Sequence, residues 1–307
     1  MSAKREYPPV ETRAERDVSR FTSYVLTPRR FNAPRPSAFT LVEMLAVISI
    51  VGILVAVVVP SLGKFKPNAT AGAEQVMLAE LGRARQLAIS QRTTVYMVFV
   101  PTNFWLTNAP LNPNSQAYQY LSSSQPTEIP KANRLLDKQL IGYTFVALKS
   151  LGDQPGQPNP HYLAPWRTLP DGAIIPMEKF EFRYPAVPVN AVMTIPNGPA
   201  SYYYVYGFQT NCLPFPSDQS QTNFWLPGVA FNYLGQLVDQ QGNPLQVDEI
   251  IPLAKGSVVF SRNADKTPMQ AAPTITQVPP GNATNSYDMV KIDWFTGRAR
   301  PVRLEVK

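Results

Sequence analysis

The spacing of apolar and polar positions changes three times along the chain. Residues 1–38 alternate charged side chains with Pro, Ser and Thr and sustain no apolar period, the pattern of a leader or an unpacked arm. Phe39–Leu62 follows as FTLVEMLAVISIVGILVAVVVPSL, in which the sixteen residues Met44–Val59 carry no charge; counted from Phe39, the stretch to Val59 is 21 residues. At ~1.5 Å per residue this makes about 31 Å of helix, enough to span a ~30 Å hydrocarbon core. Pro60 lacks a ladder donor and predicts an interruption or bend. Beyond a second weak point at Pro67 and Gly72, Glu74–Gln91 resumes a helical period. Val76, Met77, Leu81, Ala84, Leu87 and Ala88 share a stripe, with Glu80, Arg83, Arg85 and Gln86 largely elsewhere. Such a stripe needs a sheet beneath it.

After Arg92 the period shortens. Thr93–Val100, TTVYMVFV, is β-branched and aromatic and predicts a strand directly after the helix. Further predicted strands are Gly142–Leu148, Lys179–Tyr184, Tyr202–Phe208, Gly228–Asn232, Gly256–Phe260 and Val290–Trp294. Long polar, Pro-rich connections separate them: Pro101–Asn114, Gly152–Pro165, Thr210–Thr222 and Ser261–Asn285. The expected fold is α+β, with a long N-terminal helix whose second half packs on an antiparallel sheet of short strands joined by long loops. Its domains are a basic leader over 1–38, a helix over 39–92 that spans a membrane in its first half (39–62), and a β-rich globular domain over 93–307. Thr93–Val100, Phe182, Tyr204, Phe231 and Ile292 are the expected core contributors.

Composition sharpens this in two respects. The net charge is +7, yet eight bases against four acids fall within the first 38 residues, ahead of the apolar run, where they hold a terminus on the cytoplasmic side. The charge is therefore weak support for nucleic acid, including at Lys291, Arg298, Arg300 and Arg303 near the end, which read as a solvated face. The tyrosines of Tyr202–Tyr206 likewise read as alternation in a sheet before a stacking platform. A single cysteine, Cys212, rules out an intrachain disulfide and a cysteine zinc cluster.

Catalytic chemistry finds little footing. His161 is the only histidine, and HExxH, GxSxG and paired-cysteine patterns are absent. His161 reads as a structural or surface side chain, Cys212 as an inert packed thiol, and the chain as a non-enzyme without a cofactor. Asp153, Asp239, Asp248 and Asp288 lack EF-hand spacing but leave loop-bound calcium open. Asn68 and Asn282 head Asn-Xxx-Thr strings that matter only on a eukaryotic secretory route.

The unusual residue is Glu43, four positions into the apolar segment. A charge at the centre of a membrane helix costs roughly 2.5–3.5 kcal/mol on insertion scales and less near the interface, so such residues are usually functional. The run also ends VVVPSLGKF, without the small-residue cleavage pattern of a secretory signal. Residues 35–64, RPSAFTLVEMLAVISIVGILVAVVVPSLGK, resemble the prepilin-type processing and methylation motif of type IV pilins and type II secretion pseudopilins. Ala38 stands where the family usually has Gly; it too is small enough for a peptidase site. The resemblance implies cleavage between Ala38 and Phe39 by an inner-membrane prepilin peptidase, methylation of the Phe39 amine, and Glu43 as the fifth mature residue with Pro60 as the twenty-second. It implies that Glu43 pairs with its own or a neighbouring Phe39 amine and so sets register. Leu41, Leu45, Ile48 and Ile53 would supply apolar surface to lipid and then to sister helices, with Gly52 permitting close approach.

A weaker likeness, to minor pseudopilins, rests on Arg85–Ile89, Leu169–Gly172, Phe231–Gly235 and Thr296–Arg298. The implied partners are the peptidase, sister subunits, an inner-membrane assembly platform and the bilayer. The implied location is a bacterial inner membrane, single-pass with a periplasmic C-terminal domain, and a filament or the cell surface after assembly. Two alternatives stay open: a membrane-anchored module that binds a surface ligand such as glycan or DNA, and a signal-anchored periplasmic enzyme with a pocket around His161.

Overall fold

In the computed structural model the described residues are 40–64, 69–107, 112–149, 153, 159–181, 191–196, 202–278, 280 and 287–302. The leader, Ala38, Phe39, Pro67, Phe182 and Arg303 lie outside them. The chain divides into two compact units, residues 1–61 and residues 62–307.

Helix α1 (Leu41–Lys64) occupies the apolar segment. At Pro60, where an interruption or bend is expected, α1 does not end but runs on to Lys64. One missing N–H removes a single ladder bond, which a long helix tolerates as a local irregularity. Among the described residues no helix is long and apolar enough to cross a membrane; in α1 the described side chains are those from Leu41 to Ile53.

In the second unit, α2 (Ala69–Gln91) carries the amphipathic stripe. Ala73, Met77, Leu81, Ala84 and Ala88 have no exposure at all, and their spacing of three and four is one face of a 3.6-residue helix. Val76 and Leu87, expected on the same stripe, flank it partly buried. The helix stops because Arg92 adopts a left-handed φ of 52°, letting the Thr93 N–H reach back to the Ala88 carbonyl at 3.3 Å. That turn delivers the chain straight into β1 (Val95–Phe99).

Two short helices come next, α3 (Ser115–Ser124) and α4 (Ile129–Asn133), then β2 (Gly142–Ala147), β3 (His161–Tyr162), β4 (Arg167–Thr168) and β5 (Ala173–Ile174). After these come β6 (Met193–Pro196), β7 (Tyr202–Val205), β8 (Gln209–Pro214), β9 (Asn223–Phe231) and β10 (Leu237–Val238). The remaining strands are β11 (Glu249–Val259), β12 (Thr274–Gln277), β13 (Tyr287–Ile292) and β14 (Ala299–Val302). Among the described residues every strand pairing is antiparallel. One sheet runs β10-β9-β1-β2-β3 with β8 beside β9 and β4 beside β2; a second runs β12-β11-β13-β14 with β5 on β11; β6 and β7 form a separate ribbon.

Strand β1 organises the core. Val95, Met97 and Phe99 face α2, while Tyr96 and Val98 face a second cluster built with Phe104, Tyr118, Leu121, Phe215 and Phe224. A strand covered on both faces explains why its sequence is a continuous apolar run. The α2 cluster also draws Ile251 and Leu253 from β11 and Val290 and Ile292 from β13, so both sheets bury side chains against the same helix. The other face of β1 is closed by the α3–α4 segment, which side-chain bonds tie to β9. Asn114 exchanges two bonds with the Trp225 backbone, at 2.7 and 3.2 Å, and Gln125 donates to Thr222 Oγ1 at 2.5 Å.

Several expectations are corrected. The strand expected over Lys179–Tyr184 does not begin at Lys179: Met177–Phe180 is a 3-10 turn, begun at Pro176 and held by burial of Lys179, whose ammonium pairs with Glu249, and residues 182–184 lie outside the described residues. Tyr204 is 55% exposed, because in the two-stranded ribbon Val205 takes the inward position and its neighbour points out. Phe231 and Ile292 are fully buried. Strand β8 takes up the first part of the expected loop Thr210–Thr222, starting one residue before it, and β12 lies inside Ser261–Asn285.

Candidate functional site

The head of α1 is a closed polar ring at the start of an apolar helix. Thr40 is the residue before the helix, and Glu43 is the third within it. The Glu43 N–H donates to Thr40 Oγ1 at 3.2 Å, while Glu43 Oε2 accepts from the Thr40 N–H and from its hydroxyl, both at 3.0 Å. This is a capping box, in which two otherwise orphaned helix donors are satisfied reciprocally. Thr40 is the partner that sequence reasoning passed over, although Thr-Xxx-Xxx-Glu before an apolar run is its readable signal. The side chains beyond it have no cover: Leu41 is 82% exposed, Leu45 61%, Ile48 68% and Ile53 66%. A Cβ built at Gly52 would meet nothing within 4 Å, so that position is open to close approach. Ala38 and Phe39 lie outside the described residues.

The second unit brings three of the four weaker motif pieces to one place. Arg85 Nε of α2 donates to the Thr296 carbonyl at 2.7 Å. Gly235 closes the turn after β9 with φ +81°, and a Cβ there would lie 2.9 Å from Arg85 Nε and 3.0 Å from Ile89 Cδ1. Gly297, at φ +62°, packs so tightly that a Cβ would collide with the Gly235 carbonyl and touch Phe231. Arg85–Ile89, Phe231–Gly235 and Thr296–Arg298 therefore form one node that fixes two turns on the helix. Asp293 completes it, accepting from the Thr296 hydroxyl and N–H, both at 2.7 Å; these bonds hold its carboxyl below the usual range. Leu169–Gly172 serves elsewhere, in the turn before β5, where the Gly172 carbonyl accepts from the Gly256 N–H at 3.1 Å.

The other candidates are scattered. His161 on β3 has Nε2 3.4 Å from the Asp153 carboxylate, near enough for attraction but without hydrogen-bond geometry. Cys212 is exposed on β8, which corrects the packed thiol; partial burial still pushes its pKa up. Asp239 folds back on its own turn, accepting from Gln241 and Asn243 N–H groups at 2.9 and 2.8 Å. Asp248 pairs with Lys291 at 2.7 Å, and Asp288 lies on β13. Among the described residues no three His, Cys, Asp or Glu side chains gather as a metal site. Arg298 and Arg300 are exposed, flanking the node.

The comparisons with known proteins bear on the first of these sites. Residues 34–59 match the family described as the prokaryotic N-terminal methylation motif. The chain thus carries the type of N-terminal segment found in pilin-like proteins, and its Thr40–Glu43 ring and the start of its apolar helix lie within the matched residues. No curated protein and no solved structure matches the chain.

Proposed function

We propose that the protein is a non-enzymatic, pilin-like filament subunit, held in a bacterial inner membrane by residues 39–62 until it is assembled into a pseudopilus or type IV pilus-like fibre. The observation that carries this reading is the methylation motif at residues 34–59, with Glu43 inside it at the head of an uncovered apolar helix. A prepilin peptidase cleaves between Ala38 and Phe39 and methylates the new amine. Before assembly, Glu43 is satisfied by Thr40 of its own chain. Cleavage places a positive amine one turn away, and packing of sister helices lets that amine and Glu43 of a neighbour cancel two charges that lipid penalises singly. Leu41, Leu45, Ile48 and Ile53 exchange lipid for sister helices in the same step, and Gly52 admits a neighbouring backbone. The β-rich unit supplies lateral and outer surfaces, while an assembly platform supplies the work.

Mass spectrometry of the protein from its native membrane tests the processing step, with a mature chain beginning at methylated Phe39 as the expected result. Glu43→Ala should leave cleavage intact and abolish incorporation into sheared filaments. A native chain that starts before Phe39, or filaments that take up Glu43→Ala normally, would overturn the proposal.

A further inference from the structure

A second site lies on the β-rich unit, in an open cleft of about 340 Å³ between the β6–β7 ribbon and the start of β11. Its walls are aromatic: Tyr204, more than half exposed, with Tyr206 and Trp294. Its polar groups are Gln246, Asp248 and Lys291. Asp248 is fixed on both oxygens, Oδ1 accepting from the Trp294 N–H at 3.0 Å and Oδ2 lying 2.7 Å from Lys291 Nζ. Both charged side chains remain partly exposed, at 27% and 20%, so each keeps bonding capacity toward the cleft.

The charge balance narrows the ligand. Lys291 is offset by Asp248, and Arg300, its cross-strand neighbour on β14, acts on the carboxylate of Asp293. A phosphate or nucleic-acid backbone entering the cleft would meet the Asp248 carboxylate, and a cation would meet Lys291. Hydroxyl groups suit the pair, because each can donate to the carboxylate and accept from the ammonium or the Gln246 amide. Aromatic faces carry the negative lobe of the ring quadrupole and favour the slightly positive C–H face of a saturated ring. A size of 340 Å³ is at the lower end of small-ligand sites. From this combination we infer that the cleft binds a neutral pyranose saccharide, with Tyr204 and Trp294 stacking on the sugar and Gln246, Asp248 and Lys291 reading its hydroxyls. The inference is independent of filament assembly.

Saturation-transfer NMR on the full chain, in micelles of a detergent without a sugar head group, tests it with cellotetraose, maltotetraose and N,N′-diacetylchitobiose as probes. At least one probe should bind saturably, with transfer concentrated on ring C–H protons. Tyr204→Ala, Gln246→Ala and Lys291→Met should each weaken it by about tenfold, or 1.4 kcal/mol. Leu234→Ala, an exposed change outside the cleft, and Glu43→Ala should bind as the parent does. Saturable binding of none of the three probes, or unchanged binding by the three cleft variants, overturns the assignment. So does an oligothymidylate that binds in a Tyr204-dependent way while the saccharides do not.

Discussion

Lys179 shows how far a single side chain can depart from its type's usual place. It is fully buried, its ammonium pairs with Glu249, donates to the Tyr206 carbonyl at 2.6 Å and lies 4.7 Å from the centre of the Phe208 ring. A charge taken out of water is tolerable only with such company, and removing one partner strands the other. Lys179→Ala should therefore cost roughly 3–5 kcal/mol in urea unfolding, whereas the double change Lys179→Met with Glu249→Leu should recover most of that loss. At the head of α1, Thr40→Ala opens the ring with Glu43 and should cost about 1 kcal/mol of helix start. Amide exchange at residues 41–44 in micelles should quicken, with α2 amides unchanged as the internal control. Asp293 adds a pH dependence. Its carboxyl is held low by the Thr296 hydroxyl and N–H, so its contribution is present above the ordinary carboxylate range near 4 and is lost as pH falls through the depressed value. Thr296→Val should move that carboxyl back up, as followed by NMR titration.

At the scale of elements, α2 was legible because its apolar period and its burial coincide. Leu81→Ala, at a fully covered position, should cost about 2–5 kcal/mol, while Leu87→Ala on the flank should cost much less, both measured by denaturant midpoint. Strand β1 was legible for the same reason, since a β-branched and aromatic run with no polar alternation fits few other structures. The elements that escaped detection depend on distant partners. Helix α3, SQAYQYLSSS, has only Tyr118 and Leu121 buried, and it is placed by Asn114 and Gln125 bonding to residues about a hundred positions away. Strand β8 looks like a Pro-rich loop in sequence; its order comes from six-residue pairing with β9. At Lys179 and Phe180 the departure runs the other way: local strand propensity is overridden by the buried ion pair that pins a 3-10 turn.

For the whole molecule, the clusters on the two faces of β1 carry phenols that folding keeps neutral, Tyr143 on the α2 side and Tyr96 on the other. Tyr96 and Tyr143 are pushed up to about 12, first by burial and then by nearby Asp239 and Glu80 respectively. A raised value means that folding is fully supported below the unfolded phenol's pKa near 10 and is weakened as pH climbs from there toward 12. Thermal midpoints by near-UV circular dichroism should be flat from neutral pH to about 10 and then fall, and Tyr96→Phe should reduce the slope of that fall. The core on the α2 side fixes the motif node. Arg85 and Thr296 are 211 residues apart, and no local pattern announces that the carbonyl of one receives the guanidinium of the other.

What the amino-acid order determined alone is whatever depends on near neighbours: the apolar helix with a carboxylate four residues in, the α2 stripe and the β1 run. These rest on periods of a few residues and on charge placed against an apolar background, which a linear reading retains. The tertiary structure alone decided the two-faced burial of β1, the convergence of Arg85, Gly235 and Gly297, the burial of Lys179 and the aromatic cleft around Asp248 and Lys291. Each of these joins side chains far apart along the chain. Their energy comes from desolvation and from contacts that exist only once the sheets have closed on α2.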